Sequence, residues 1–349
     1  VSGRIGWYVH HHGRGHLTRM RAIAAHLPHE IACFSSLARP AELPARVTWT
    51  QLPPDDQPRP QLPEDDPTAR GLLHWAPLGH IGHRTRLAAI AAAVTSAPVD
   101  AFVVDVSAEV TLLTRLLGLR TVVIAQPGDR SDEPHRLAYA AAERIVAPWP
   151  DWIELPVHLA PHADRVDAVG GISRFDGREV GAERGDDVVL LGGGGGSGVA
   201  ATDIAAAERA TGRTWRVLGA GSAAWLDDPW GALTTAGTVV SWCGQNAIAD
   251  IAAAGAPAVV IPQDRPFDEQ RATARTLGSA GLAVASEHWP EASAWPALVE
   301  RARHLEPRWE RWRVAGAAQR AAEAISRVAG GGAEVAACAG AAATGGAAA

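Results

Sequence analysis

Along the first third of the chain, short apolar runs alternate with segments whose apolar residues recur every three or four positions. RIGWYV (4–9) reads as a strand, Leu17, Met20, Ile23, Ala24 and Leu27 mark one face of a helix, and EIACFS (30–35) reads as the next strand. The alternation returns at RTRLAAIAAAV (84–94), AFVVDV (101–106), EVTLLTRLLG (109–118) and TVVIAQ (121–126). Strand, helix and strand in regular succession predict an α/β protein with a parallel sheet wrapped by helices. The proline-rich, acidic stretch PPDDQPRPQLPEDDP (53–67) breaks the series and is expected to be a solvated loop.

A second series begins at VVLL (188–191) and continues through AATDIAAAERA (200–210), WRVLGA (215–220), TVVSW (238–242), NAIADIAAAG (246–255) and AVVIP (258–262). Between the two series, VGGISRFDGREVGAERGDD (169–187) has the glycines and charges of a linker. Helical patterns follow over about 267–278 and 296–328, and the glycine- and alanine-rich residues 329–349 are expected to be a frayed tail. The expected architecture is therefore two Rossmann-like, doubly wound parallel-sheet domains, residues 1–168 and 188–328, facing each other across a cleft.

Composition narrows the chemistry. The chain of 349 residues is 47% hydrophobic and 20% charged, as in a water-soluble globular protein, and no apolar run approaches the roughly 18 residues a membrane span needs. All its basic side chains other than histidine are arginine, so Walker-type phosphate binding and lysine Schiff-base chemistry are excluded in their usual form. A net charge of -6 speaks against general nucleic-acid binding. The opening VSGRIGWYV lacks the order of a secretion signal, and three scattered cysteines make no disulfide framework, so the expected location is the cytoplasm.

In open parallel sheets, ligands bind beyond the carboxyl ends of the strands, where helix N-termini offer unpaired amides. Two loops fall there. GGGGGSG (192–198) leaves its backbone open to a phosphate. In SWCGQNAIADIAAAGAPAVVIPQDRPFDEQ (241–270), Gly244 permits a tight turn, Asn246 can donate to an anion, and Asp250 follows one helical turn later. A carboxylate there can accept from two ribose hydroxyls, while Glu269 and Gln270 open another helix over the same cleft.

HHHGRGHLTR (10–19) raises the question of a metal. Adjacent residues at a strand end point to opposite faces, so His10, His11 and His12 are not expected to converge on an ion, and no metal site is expected. His16, behind Gly13 and Gly15 at a helix start, is instead placed to face the cleft. Asp105, ending the strand AFVVD, is in reach to orient it; Asp129, in QPGDRSD, is the competing carboxylate. Arg19 and Arg130 are placed to assist an anionic group, and Trp75, Trp149 and Trp152 are the loop indoles on which a sugar can stack.

The order C-G-x-N-x-x-x-acid, then A-A-G-x-P, then P with an E-Q pair resembles the donor half of GT-B glycosyltransferases over residues 187–305. It is most similar to family 28, which includes the GlcNAc transferase of lipid II synthesis, and also resembles the signature of plant UDP-glycosyltransferases. G-R-G-H-L-T-R resembles the G-x-G-H-x-x-R loop of the acceptor half of family 28 and of related sugar-nucleotide hydrolases. The resemblance implies that Gly193, Gly194, Gly195 and Ser197, with Gly244, Gln245 and Asn246, hold a diphosphate, Asp250 the ribose, and Glu269 and Gln270 the sugar. It makes His16 the base and Asp105 its orienter, with Gly13, Gly15, Arg19 and Asp129 on the acceptor side.

The implied reaction moves a sugar from a nucleoside diphosphate, UDP by expectation, to a hydroxyl of a small-molecule, glycan or lipid-linked acceptor. Inversion is expected, with the nucleotide-sugar as co-substrate and neither cofactor nor metal; peripheral membrane contact follows from the lipid II analogy alone. The chain departs from the plant-type signature at Trp242, where that signature has a diphosphate-binding histidine, at Ala247 in place of serine, and at Asp250 in place of glutamate. Two rival readings are a sugar-nucleotide hydrolase in which His16 activates water and a non-catalytic nucleotide-sugar sensor.

Overall fold

The computed structural model describes residues 3–57, 62–181, 183–192, 198–219 and 226–344. Gly193, Gly194, Gly195 and Ser197 lie outside the described residues. The first sheet consists of β1 (Arg4–Val9), β2 (Glu30–Ser35), β3 (Val47–Gln51), β4 (Ala101–Asp105), β5 (Thr121–Ile124), β6 (Arg144–Ala147) and β7 (Val166–Ala168), in the order β3-β2-β1-β4-β5-β6-β7. The second consists of β8 (Val188–Leu191), β9 (Trp215–Leu218), β10 (Thr238–Ser241), β11 (Ala258–Val260) and β12 (Val284–Ala285), in the order β12-β11-β10-β8-β9. All pairings are parallel. The central strands are valine- and isoleucine-rich and buried throughout, as parallel strands covered on both faces must be.

The helices are α1 (Gly15–Ala24), α2 (Ile81–Ser96), α3 (Ala108–Leu116), α4 (Glu133–Ala141), α5 (Ala201–Thr211), α6 (Trp230–Thr235), α7 (Gln245–Ala253), α8 (Glu269–Ser279), α9 (Trp295–His304) and α10 (Ala317–Thr344). Their ends follow local chemistry: Ser107 caps α3 by accepting from the Val110 amide at 3.2 Å, and α5 stops at Gly212, whose φ of 64° suits glycine. In each sheet the winding reverses direction between two central strands, β1 and β4 in the first, β8 and β10 in the second. Such reversals leave a crevice at the strands' carboxyl ends. The histidine loop and Asp105 lie at one; α7 starts at the other.

Two expectations need correction. The helical pattern over 296–328 is two helices separated by a segment containing Pro307 and Gly316, and the second does not close the second unit. Ala317, Ala321, Ala324 and Ile325 of α10 instead pack with Ile5, Trp7 and Val103 in the core of the first sheet. Residues of the linker segment enter both cores, Val169 and Ile172 the first and Phe175 the second. The acidic proline loop turns inward at Asp55, which pairs with the buried Arg86, because a guanidinium taken out of water needs a counter-charge. Among the described residues no helix is long and apolar enough to cross a membrane.

Candidate active site between the two sheets

The site forms where the N-terminus of α1 meets that of α7. Parallel register places Val9, the last residue of β1, beside Asp105, the last of β4, so the histidine loop leaves its strand next to this carboxylate. The following residue, Val106, has φ 63°, a left-handed conformation uncommon for a β-branched side chain. Backbone held this way costs about 1–3 kcal/mol and persists where surroundings impose it, often at functional sites.

Asp105 is fully buried and Arg19 is 3% exposed. Arg19 grips the carboxylate with both edges of its fork, Nε to Oδ2 at 3.1 Å and Nη2 to Oδ1 at 2.7 Å, and its third nitrogen donates to Gln245 Oε1 at 2.9 Å. His16 Nδ1 lies 3.0 Å from Asp105 Oδ1. Burial alone would raise the Asp105 pKa, but the Arg19 charge and then His16 bring it down to about 2. The ionised carboxylate can only accept, so Nδ1 of His16 carries a proton, and in the neutral ring the lone pair is on Nε2. Arg19 Nη2, at 3.2 Å from the same Nδ1, is a second donor to the same carboxylate oxygen.

Across the cleft, Asn246 Nδ2 donates to the Gly15 carbonyl at 2.8 Å, so Gly15, His16, Arg19, Gln245 and Asn246 meet around one cavity. No side chain caps α7, so its first amides and its dipole are available to an anion beside His16. Gly244 lines this cavity, but its φ of -69° is open to any residue; the turn does not depend on glycine. Gly13, by contrast, has φ 74° and does use that freedom.

A second bridge joins the units at the start of α8. Glu269 accepts from Arg130 Nη2 at 2.9 Å, and the Asp129 amide donates to the Phe267 carbonyl at 2.8 Å. Gly128 makes this approach possible, since a Cβ there would collide with the Phe267 carbonyl. Arg130 also reaches His135 Nε2 at 3.0 Å; His135 Nδ1 lies 2.5 Å from Asp132 Oδ1, and His74 Nε2 2.6 Å from Asp132 Oδ2. Sequence reading missed this cluster, because its members are 58 positions apart and only folding brings them together. His74, Asp132 and His135 offer atoms of metal-ligand type within 4.8 Å of one another. Burial lowers the His135 pKa to about 4, so the ring is neutral. The Arg130 donor on Nε2 then fixes its proton on Nδ1, the atom a metal would need bare, and the cluster is a complete hydrogen-bonded relay instead.

Other expected site residues are placed elsewhere. Asp250 is buried, accepting from Ser173 Oγ at 2.7 Å and Arg174 Nε at 3.3 Å, so that both carboxylate oxygens anchor the linker. Gln270 turns back so that its Oε1 accepts from the Gln263 amide at 2.8 Å, which closes the loop before α8. The exposed Asp129 carboxylate accepts from the Ser131 amide in a local turn and does not approach His16. Trp242 is buried among Val240, Trp289 and Trp295, behind the cleft rather than in it. The rings of His10, His11 and His12 stack with centroids 4.5–4.9 Å apart, against the alternation expected, because β1 has ended at Val9 and they occupy a turn. Trp152 is tied to the Arg311 carbonyl at 2.7 Å.

Asp250 yields a test. Burial raises its pKa from 3.8 to about 6, against the lowering by Ser173 and Arg174. The folded state therefore binds the proton more tightly than the unfolded one, and Asp250's contribution to stability falls as pH rises from about 4 to 6, by about 3 kcal/mol. Asp250→Asn removes this slope, so urea denaturation should show the variant gaining on the parent between pH 4 and pH 7. Parallel stability profiles across that window would contradict the assignment.

No family model matches the chain, and no curated protein matches it by sequence. Solved structures do match. A UDP-glucosyltransferase from Polygonum tinctorium, capable of glucosylating indoxyl, aligns with a TM-score of 0.65 at 15% identity, over 94% of this chain and 99% of that one. MurG of Acinetobacter baumannii aligns at 0.60 with 15% identity, over 94% and 100%. The calicheamicin glycosyltransferase CalG4 aligns at 0.62 with 16% identity, over 94% and 96%. The fold is GT-B, two parallel-sheet units, and 94% of the chain takes part in the match.

Proposed function

We propose that the protein is a glycosyltransferase that moves a sugar from a nucleoside diphosphate, UDP in the first instance, to an acceptor hydroxyl. The observation that carries the reading is the juxtaposition of His16, oriented by buried Asp105, with the uncapped N-terminus of α7 across one cavity of a GT-B fold. His16 Nε2 takes the proton from the acceptor hydroxyl as its oxygen bonds to the anomeric carbon. The bond from that carbon to the diphosphate breaks, and its electron pair leaves on the diphosphate oxygen. A single displacement of this kind inverts the anomeric configuration.

The α7 amides and Asn246 would hold the developing negative charge, in the manner of an oxyanion site, and no metal is required by this scheme. Glu269, held by Arg130 at the edge of the cavity, would accept from a sugar hydroxyl. Thermal shift against UDP-, dTDP- and GDP-sugars identifies the donor, since ligand binding to the native state raises the melting temperature. Radiolabelled donor with and without acceptors, in EDTA, then reads transfer. Acceptor-independent release of free sugar would make the protein a hydrolase, and binding without turnover a sensor; either result overturns the transferase.

A further inference from the structure

We infer that the acceptor is a compact, neutral polyhydroxylated molecule, a sugar or cyclitol, seated in a small chamber beside His16. The inference rests on the transferase reading for its chemistry. The chamber, about 130 Å³, lies past the carboxyl ends of β1, β4 and β5. His10, His74, Trp75, Arg86, Glu109 and Gln126 are among its lining residues. Gln126 also lines the His16 cavity, and the His10 ring centroid is 5.8 Å from that of His16, so the chamber adjoins the base.

Three side-chain atoms on its wall lack a partner inside the protein. Gln126 is 8% exposed and Arg86 2%, yet Gln126 Nε2 and Arg86 Nε make no hydrogen bond, and His83 Nδ1 on the same wall makes none either. Buried polar groups left unpaired cost about 1–3 kcal/mol each, and native proteins keep few of them without a use. A ligand bearing several hydroxyls supplies oxygen to the two donors and either hydrogen or lone pair to the imidazole.

The charged groups on its wall are held by partners within the protein. Arg86 pairs with Asp55 and donates to the Tyr8 hydroxyl at 2.9 Å. Glu109 accepts from the His74 and Trp75 amides at 2.7 and 2.9 Å and from Ser107 Oγ at 3.0 Å. Burial first, then neighbouring histidines, lower the His10 pKa well below its usual range; burial lowers that of His83. An anion would face the Glu109 carboxylate, which has no cationic partner among the described residues, and a cation has no lone pair for the Gln126 and Arg86 donors, whereas hydroxyls meet donors and imidazoles alike. Trp75 adds an aromatic ring fixed by its Nε1 donating to the Asp55 carbonyl at 3.0 Å, a surface for the C–H face of a sugar. A planar apolar acceptor has a better seat elsewhere, in a pocket of about 600 Å³ beyond Pro127 and Gln245 lined by Trp149, Ile153, Val157 and Trp312.

Calorimetry on the full chain with myo-inositol, methyl α-D-glucopyranoside and 1-naphthol, each in the presence of UDP, tests the inference. Saturable binding of a polyol is expected, weakened about tenfold or more in His83→Leu while UDP affinity stays as in the parent. UDP binding and melting temperature report that the variant is folded. Binding of 1-naphthol with no polyol bound, or polyol affinity indifferent to His83→Leu, overturns the inference. Absence of UDP binding with the polyol retained would instead defeat the transferase reading and leave the chamber's ligand class standing.

Discussion

His16→Ala is expected to lower kcat by about 10²- to 10⁴-fold while leaving the affinity for UDP at its parental value. That range is what a positioned general base contributes to a proton transfer in the transition state. Donor affinity survives because His16 meets the α7 side of the cavity only across open space; the contacts that join α1 to α7 run through Gly15 and Arg19. The measurement is a pair: steady-state turnover with the donor found by thermal shift, and calorimetric UDP binding. Parental turnover in His16→Ala would remove the base, and with it the mechanism. Equal losses in turnover and in UDP affinity would make His16 a binding residue rather than a catalytic one.

Asp105→Ala is expected to destabilise the fold by about 3–5 kcal/mol, because it leaves the Arg19 guanidinium buried without its partner. The effect has a pH signature. The folded-state pKa of about 2 lies below the ordinary 3.8, so the stability Asp105 supplies is present above pH 4 and is lost as pH falls toward 2, about 2.5 kcal/mol in all. The alanine variant should lack this acid limb in denaturation profiles. Arg19→Met with Asp105→Leu, which removes both charges, is expected to regain most of the stability but not the turnover, since His16 then has no acceptor for its Nδ1 proton. A double variant as active as the parent would show that the carboxylate serves packing alone.

The reliability of the sequence reading varied with how local each feature was. The alternation of RIGWYV, the helical stripe after it and EIACFS determined β1, α1 and β2 because period and length belong to the segment itself. His16 at a helix start and Asp105 at a strand end were legible for the same reason, and parallel register then brought them together. Gly244, Gln245 and Asn246 were placed at the cleft by their position between β10 and α7.

Tertiary structure decided everything that depended on which surface a segment meets. The period of α10 marks an apolar face but does not say which sheet covers it, and it crosses back to the first. Asp250 sits on the helix the spacing predicts, yet its carboxylate follows Ser173 and Arg174, which arrive from 77 and 76 positions away. The pairing of Asp55 with Arg86, the relay through His74, Asp132 and His135, and the chamber they border are likewise products of distant chain segments meeting. A sequence sets the local conformation and the polarity of each face by short-range sterics and solvation. The partner of a buried charge is chosen only when the whole chain has packed, because desolvation makes that choice costly to leave unmade.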